Sequence, residues 1–93
     1  MTDLTFPQAL TALIDRGVRI RRESWPEGRF LIFVPGSEIR VSEGRPLGDA
    51  APELLGTLVR YGPHIDVFRD GNRMGAWFAD SEDMLAYDWT VTT

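Results

Sequence analysis

Apolar positions near the start of the chain follow a helical period. Five of them recur at the i, i+3, i+4, i+7 and i+8 spacing of one helix stripe: Phe6, Ala9, Leu10, Leu13 and Ile14. Thr5 and Gln8 fit a capping box, and Gly17 suits the left-handed residue that follows a last turn. The pattern therefore predicts a helix that begins after Thr5, ends before Gly17 and faces a core.

After the helix, the period changes to two. The segment VRIRRE alternates apolar and charged residues, which predicts a half-buried strand with Val18 and Ile20 inward and Arg19 and Arg21 on the other face. SWPEGR has the composition of a turn, and the continuous apolar run of RFLIFVPGS predicts a strand near the centre of a sheet. EIRV either extends that strand or begins another.

The second half of the chain begins with a predicted loop. Residues 42–56 are rich in glycine and proline, which predicts an irregular connection with a short helical turn at residues 52–55. A short strand and a hairpin follow, the arms HIDVF and RMGAWF flanking a DGN turn. Asp80 or Ser81 can cap a short helix through Ala86, and DWTVTT predicts a closing strand.

These elements predict an α+β fold with a small, mainly antiparallel sheet, an N-terminal helix and a short C-terminal helix. The chain has 93 residues without a repeat or a linker, so we expect residues 1–93 to form a single domain.

Composition narrows the chemistry. The chain lacks cysteine, which excludes a disulfide scaffold, a thiolate zinc site and a cysteine nucleophile. It shows neither a signal peptide nor an apolar run of the ~20 residues that span a bilayer, so we expect a cytoplasmic protein. A net charge of −4 disfavours partnership with duplex nucleic acid or an anionic membrane.

Positive charge is nevertheless concentrated after the first helix. Arg16, Arg19, Arg21 and Arg22 lie within seven residues. They either form salt bridges with the acidic residues of the chain or present planar forks to a phosphate. Trp25 lies in the following turn, where its ring either folds over a small core or stays exposed as a stacking platform.

The segment WFADSEDMLAYDW raises the question of a metal or acid-base site. Its carboxylates lack the spacing of a calcium loop, so helix capping and a solvated face explain them better. Its tryptophans, Trp77 and Trp89, are expected in the core or at a subunit contact. His64 and Asp66 share one face of a strand, but no nucleophile or second acid accompanies them in sequence. A glycine-rich phosphate loop is also missing. We therefore predict no catalytic residues, no metal, no cofactor and no enzyme activity.

Five segments, taken in order, carry a resemblance to a known family: TFPQAL, the basic strand that leads to Trp25, FLIFVPGS, PHID and WFADSEDMLAYDW. Over nearly its full length the chain resembles the Thoeris anti-defence protein two-like family of short phage and prophage proteins. The resemblance implies a non-enzymatic sponge in the bacterial host cytosol. Such a protein binds and sequesters cyclic ADP-ribose-type or other cyclic nucleotides. The resemblance also implies that it forms a homo-oligomer, with a tetramer as the expected state.

The family's aromatic and acidic positions match Phe6, Trp25, Asp83, Asp88 and Trp89. We predict that the ligand-binding residues are Phe6, Trp25, Asp83 and Asp88 of this set, together with Arg21 and Arg22, which are assigned from their chemistry. Phe6 and Trp25 are expected to stack on the ligand, and Arg21 or Arg22 to contact its pyrophosphate. Asp83 and Asp88 are expected to meet ribose or base edges.

The chain departs from the family pattern in three places. The turn after Trp25 contains Glu27, the position before Asp83 is Glu82, and the central loop carries Arg45 and Pro46. The alternative interpretation is a structural or protein-binding phage accessory protein without a nucleotide ligand.

Overall fold

The computed structural model describes residues 1–92. Its elements in chain order are α1 (Phe6–Arg16), β1 (Arg19–Arg22), β2 (Phe30–Val34), β3 (Ser37–Arg40), α2 (Pro46–Ala50), a 3-10 turn (Pro52–Leu54), β4 (Leu58–Tyr61), β5 (His64–Arg69), β6 (Arg73–Ala76), α3 (Ser81–Met84) and β7 (Trp89–Thr92). Five strands form one sheet in the order β6-β5-β2-β1-β7, with every neighbouring pair antiparallel. The predicted α+β class is confirmed, and β2 lies at the sheet centre, as its continuous apolar run predicts.

Helix α1 begins and ends where the sequence predicts. The Thr5 hydroxyl accepts a hydrogen bond from the Gln8 amide, and the Gln8 side chain accepts one from the Thr5 amide in return. Gly17 follows the last turn with a φ of 64°, a conformation that glycine adopts without a Cβ penalty. The helix packs on one sheet face through Ala9, Ala12 and Leu13, which are buried. Ile14, expected in the buried stripe, is exposed instead.

Residues 1–4 cover the outer edge of β7. The Leu4 amide donates to the Trp89 carbonyl at 3.0 Å, and the Trp89 amide donates back to Leu4 at 3.1 Å. The Val91 amide donates to the Met1 carbonyl at 2.8 Å. This edge of the sheet is therefore paired and does not offer free backbone groups to another strand.

Strands β3 and β4 form a second, two-stranded sheet that is separate from the five-stranded one. We call residues 37–61 the arm and the remainder of the described chain the body. EIRV thus begins a new strand, and α2 lies within the stretch predicted to be an irregular loop. The radius of gyration is 16.4 Å, against about 12 Å for a compact chain of this length, which is consistent with a projecting arm.

Among the helices of residues 1–92, none combines the length and the apolar character needed to cross a membrane.

Candidate ligand-binding site

Trp89 lies at the centre of the body and has no exposed surface. Its ring centroid is 5.2 Å from that of Phe6, 5.3 Å from Trp25 and 6.2 Å from Trp77. The indole Nε1 donates to the carbonyl of Asp83 at 2.9 Å, which satisfies the one polar atom of the ring. Trp89 is therefore a core residue, as the sequence predicts, and the other three rings are arranged around it.

Helix α3 carries two of the four carboxylates between Trp77 and Trp89, those of Glu82 and Asp83. Asp80 caps it by accepting a hydrogen bond from the Asp83 amide at 2.8 Å. The helix ends at Met84, two residues before the predicted end at Ala86. Helix α3 contacts α1, and Asp83 reaches Arg22 on β1.

The predicted site residues Arg22, Asp83 and Asp88 come together, but they bind one another. Arg22 donates from Nε to Asp88 Oδ1 at 2.9 Å and from a terminal nitrogen to Asp83 Oδ1 at 3.0 Å. Only 13% of the Arg22 side chain is exposed. The hydrogen bond from Arg22 lowers the pKa of Asp88, and the bond to Asp88 raises the pKa of Arg22 above its ordinary value. We call these three side chains the ion cluster.

Arg21 is also engaged within the protein. Its guanidinium donates to the backbone carbonyls of Trp25 at 2.8 Å, Pro26 at 3.3 Å and Arg29 at 3.2 Å. These bonds tie the turn of residues 23–29 to β1. Arg21 therefore sets the shape of the turn that carries Trp25.

Trp25 and Asp83 share a cavity of about 260 Å³ beside the sheet, which we call the aromatic pocket. Three rings line it, those of Trp25, Trp77 and Phe78, and Phe78 is 86% exposed. The remaining lining includes two cations and two carboxylates, contributed by Arg29, Arg69, Asp80 and Asp83. Flat apolar walls beside charged groups are suited to a ligand that has a ring and an anionic group.

Phe6 lines a different depression, an apolar groove of about 490 Å³ between α1 and the sheet. Trp77 contributes to both cavities and so separates Phe6 from the aromatic pocket. His64 lies at this groove, with Nε2 3.4 Å from Asp66 Oδ1. The pair predicted from the His-X-Asp spacing is thus present, and it lies outside the aromatic pocket.

The arm contains a third cavity, of about 430 Å³, between β3, α2 and Tyr61. None of the six predicted site residues lines it. In the part of the chain that the structure describes, no group of three or more histidine and carboxylate side chains could hold a metal ion. The aromatic pocket contains two of the six predicted site residues, Trp25 and Asp83, whereas the apolar groove contains one and the arm cavity none, so we take it as the candidate site.

The sequence profile of the Thoeris anti-defense 2-like domain family matches residues 4–92. The chain belongs to this family. A comparison with curated proteins finds no match. The matched region of this Thoeris anti-defense 2-like domain includes α1, the ion cluster and every residue of the aromatic pocket. The resemblance expected from the sequence is confirmed.

Nine residues line the pocket in this Thoeris anti-defense 2-like domain, and sequence reasoning assigned two of them to the site, Trp25 and Asp83. The seven that it missed include Arg29, Arg69, Trp77 and Phe78. Trp77, expected in the core or at a subunit contact, is half-buried and packs against the core cluster, and it also forms a pocket wall. The two arginines were not singled out because they lie 40 positions apart and only the pairing of β2 with β5 brings them together.

Proposed function

We propose that this domain counters bacterial anti-phage defence by binding a cyclic ADP-ribose-type nucleotide and sequestering it without chemical change. The observation that carries the proposal is the aromatic pocket, in which three rings surround a space that also presents two arginines. Stacking of a base on an aromatic side chain contributes roughly 1–3 kcal/mol, and arginine forks match phosphate oxygens. Family membership supports the anti-defence role.

The size of the pocket supports a shared site. Ligand cavities commonly enclose about 300–1,000 Å³, and the aromatic pocket encloses about 260 Å³. Phe78, which forms one wall of the pocket, is 86% exposed, so most of its side chain is not covered by other residues of the described chain. The homo-oligomer that the resemblance implies, a tetramer, would supply the missing cover from a second subunit. The protein would act in the host cytosol, where the signal is made.

Sequestration without turnover is consistent with the groups around the pocket. Its carboxylates are engaged, Asp83 with Arg22 and Asp80 as the cap of α3. A sponge must also hold its ligand at signalling concentrations, which requires a dissociation constant below about 1 μM.

The first experiment asks whether the ligand is bound and returned intact. Purified protein is incubated with cyclic ADP-ribose isomers and cyclic dinucleotides, and depletion from the filtrate is measured. The protein is then heated, and the released compound is identified by mass spectrometry. Recovery of the unchanged nucleotide supports the proposal. A hydrolysed product indicates an enzyme, and no depletion with any compound favours a structural or protein-binding role.

The second experiment uses two exposed aromatic residues of the same region as a matched pair. Phe78 lines the pocket, whereas Tyr87, 77% exposed between α3 and β7, does not. We expect Phe78→Ala to weaken nucleotide binding by about 1–3 kcal/mol in calorimetry and Tyr87→Ala to leave it unchanged. Equal affinities for the two variants would contradict a stacking role of this wall.

A further inference from the structure

Two arginines face each other across β5 and β6, and a third, Arg29, immediately precedes β2 in line with them; we call the three the row. Strand β2 pairs with β5 with Phe30 opposite Phe68, and extending this register by one residue places Arg29 opposite Arg69. On the other side of β5, Arg69 is opposite Arg73. Like charges directly opposite each other destabilise a sheet, and arginine keeps its charge at every physiological pH. The row therefore costs stability unless an anion compensates it.

Among residues 1–92, none of the three arginines is paired with a carboxylate, Arg73 included. For residues 1–92, no carboxylate lies within 4.0 Å of the guanidinium of Arg29 or Arg69. The Nε of Arg29 is buried and has no hydrogen-bond partner, and a buried donor without an acceptor carries a desolvation penalty. Arg73, by contrast, donates to the Asp70 carbonyl at 3.1 Å. Of the three arginines in the row, only Arg29 and Arg69 line the aromatic pocket.

The two carboxylates that line the pocket have partners other than Arg29 and Arg69. Asp83 Oδ1 is 3.0 Å from a terminal nitrogen of Arg22, and Asp80 Oδ1 accepts the Asp83 amide at 2.8 Å. They are therefore oriented toward Arg22 and α3. The other arginines of the basic segment are engaged too, Arg21 with three backbone carbonyls and Arg19 over the ring of Phe30 at 4.5 Å.

We infer that Arg29 and Arg69 form a phosphate-binding subsite that receives the diphosphate of the bound ligand. Phosphate oxygens that enter the aromatic pocket place negative charge beside these two like charges and match the planar fork of a guanidinium. The subsite takes over the role that the sequence assigned to Arg21 or Arg22. It deepens the proposed function, on which it rests for the identity of the molecule that carries the phosphate.

The test uses inorganic pyrophosphate as the probe and the full chain as the protein. Titration up to about 10 mM, which covers millimolar dissociation constants, is followed through the arginine Nε–H resonances by NMR. We expect the Arg29 and Arg69 signals to shift, and Arg29→Gln and Arg69→Gln to weaken binding about ten- to a hundredfold. Arg60→Gln, an exposed arginine of the arm, is the matched control and should bind as the wild type does.

A second readout separates a binding role from a structural one. Because Arg69→Gln removes the middle one of the three positive charges in the row, the unliganded variant should unfold at the same temperature as the wild type or higher. Pyrophosphate should raise the unfolding temperature of the wild type and of Arg60→Gln, but not of Arg69→Gln. Lack of pyrophosphate binding by the wild type overturns the inference, and so does equal binding by all variants.

A parallel titration with the cyclic nucleotides keeps the two proposals distinguishable. If pyrophosphate binding depends on Arg69 while no cyclic nucleotide binds, the subsite stands and the sponge function fails. If a cyclic nucleotide binds the wild type and Arg69→Gln equally well, the sponge function stands and the subsite fails.

Discussion

The body and the arm are held together by different means. The body combines five strands and α1 around a buried cluster centred on Trp89, with the aromatic pocket at its margin. The arm has two strands, and only Val41 and Gly48 are buried in it. Its backbone is instead joined by hydrogen bonds. The Val41 amide donates to the Thr57 carbonyl, and the Gly56 amide donates to the Val41 carbonyl, both at 2.9 Å. Apolar burial therefore stabilises the body, whereas the arm depends on close backbone approach.

The largest effect is expected from the centre of the body. Trp89→Ala leaves a cavity among Phe6, Trp25 and Trp77. It also removes the indole N–H that donates a hydrogen bond to the Asp83 carbonyl. We expect the free energy of unfolding to fall by about 3–5 kcal/mol in urea denaturation. Tyr87→Ala, at an exposed position, should cost little. A loss below about 1 kcal/mol at Trp89 would contradict the role of the cluster.

The arm should respond to a single methyl group. A Cβ added at Gly48 would overlap the carbonyl oxygen of Ser42, which is backbone and cannot turn aside. We expect Gly48→Ala to cost about 1–3 kcal/mol and to shift the NMR amide signals of residues 37–61 while the Trp89 indole signal stays in place. Gly62→Ala is the control, since a Cβ there meets nothing within 4 Å. Equal behaviour of both variants would show that the arm is not tightly packed.

The ion cluster should give the body a dependence on pH. Arg22 holds the pKa of Asp88 below its usual range, so this contribution is present above the unfolded pKa of about 3.9 and is lost as the pH falls through the lower folded value. We expect Asp88→Asn to cost about 1–2 kcal/mol near pH 7, with the difference from wild type shrinking below about pH 4.

Denaturation at a series of pH values measures this difference. Glu27→Gln, which alters an exposed carboxylate of the neighbouring turn, serves as the control. A difference between wild type and Asp88→Asn that stays constant from neutral to acid pH would argue against the lowered pKa.

The smallest effect is expected on the surface of the arm. Arg60 and Glu38 are opposite each other on β4 and β3, with Nε and Oε1 3.0 Å apart, but the Arg60 side chain is 87% exposed. We expect Arg60→Gln to change the free energy of unfolding by less than about 0.5 kcal/mol, because water and salt screen exposed ion pairs. A cost above about 1 kcal/mol would indicate that polar contacts stabilise the arm more than its geometry suggests.

The parts of the fold that the sequence predicts are those with local signals. The limits of α1 follow from Thr5, Gln8 and Gly17, which act within one or two turns of the chain. Helix α2 was missed because Arg45, at its N-cap position, makes no side-chain capping bond and the helix has only five residues. Short glycine- and proline-rich segments carry too few periodic positions to distinguish a helix from a loop.

The candidate site was less accessible to sequence reasoning because its contacts are distant along the chain. Arg22 meets Asp83 and Asp88 across 61 and 66 positions, so the sequence could place these residues together but could not show that they pair. Trp25 was identified by its unusual place in a turn. Nothing in the local sequence distinguished Arg29. Its place near Arg69 depends on the register of β2 and β5, which the arm separates in sequence.

The junction between arm and body bears on the order in which the chain folds. Val34 on β2 pairs with His64 on β5, so residues 35–63 form an excursion from what would otherwise be a simple hairpin. If the β3–β4 hairpin forms first, it brings Val34 and His64 together and replaces a loop of roughly 30 residues by a few, which lowers the closure cost by about 1.5–2 kcal/mol. The part of the protein with the fewest buried residues would then be the one that starts the assembly of its larger sheet.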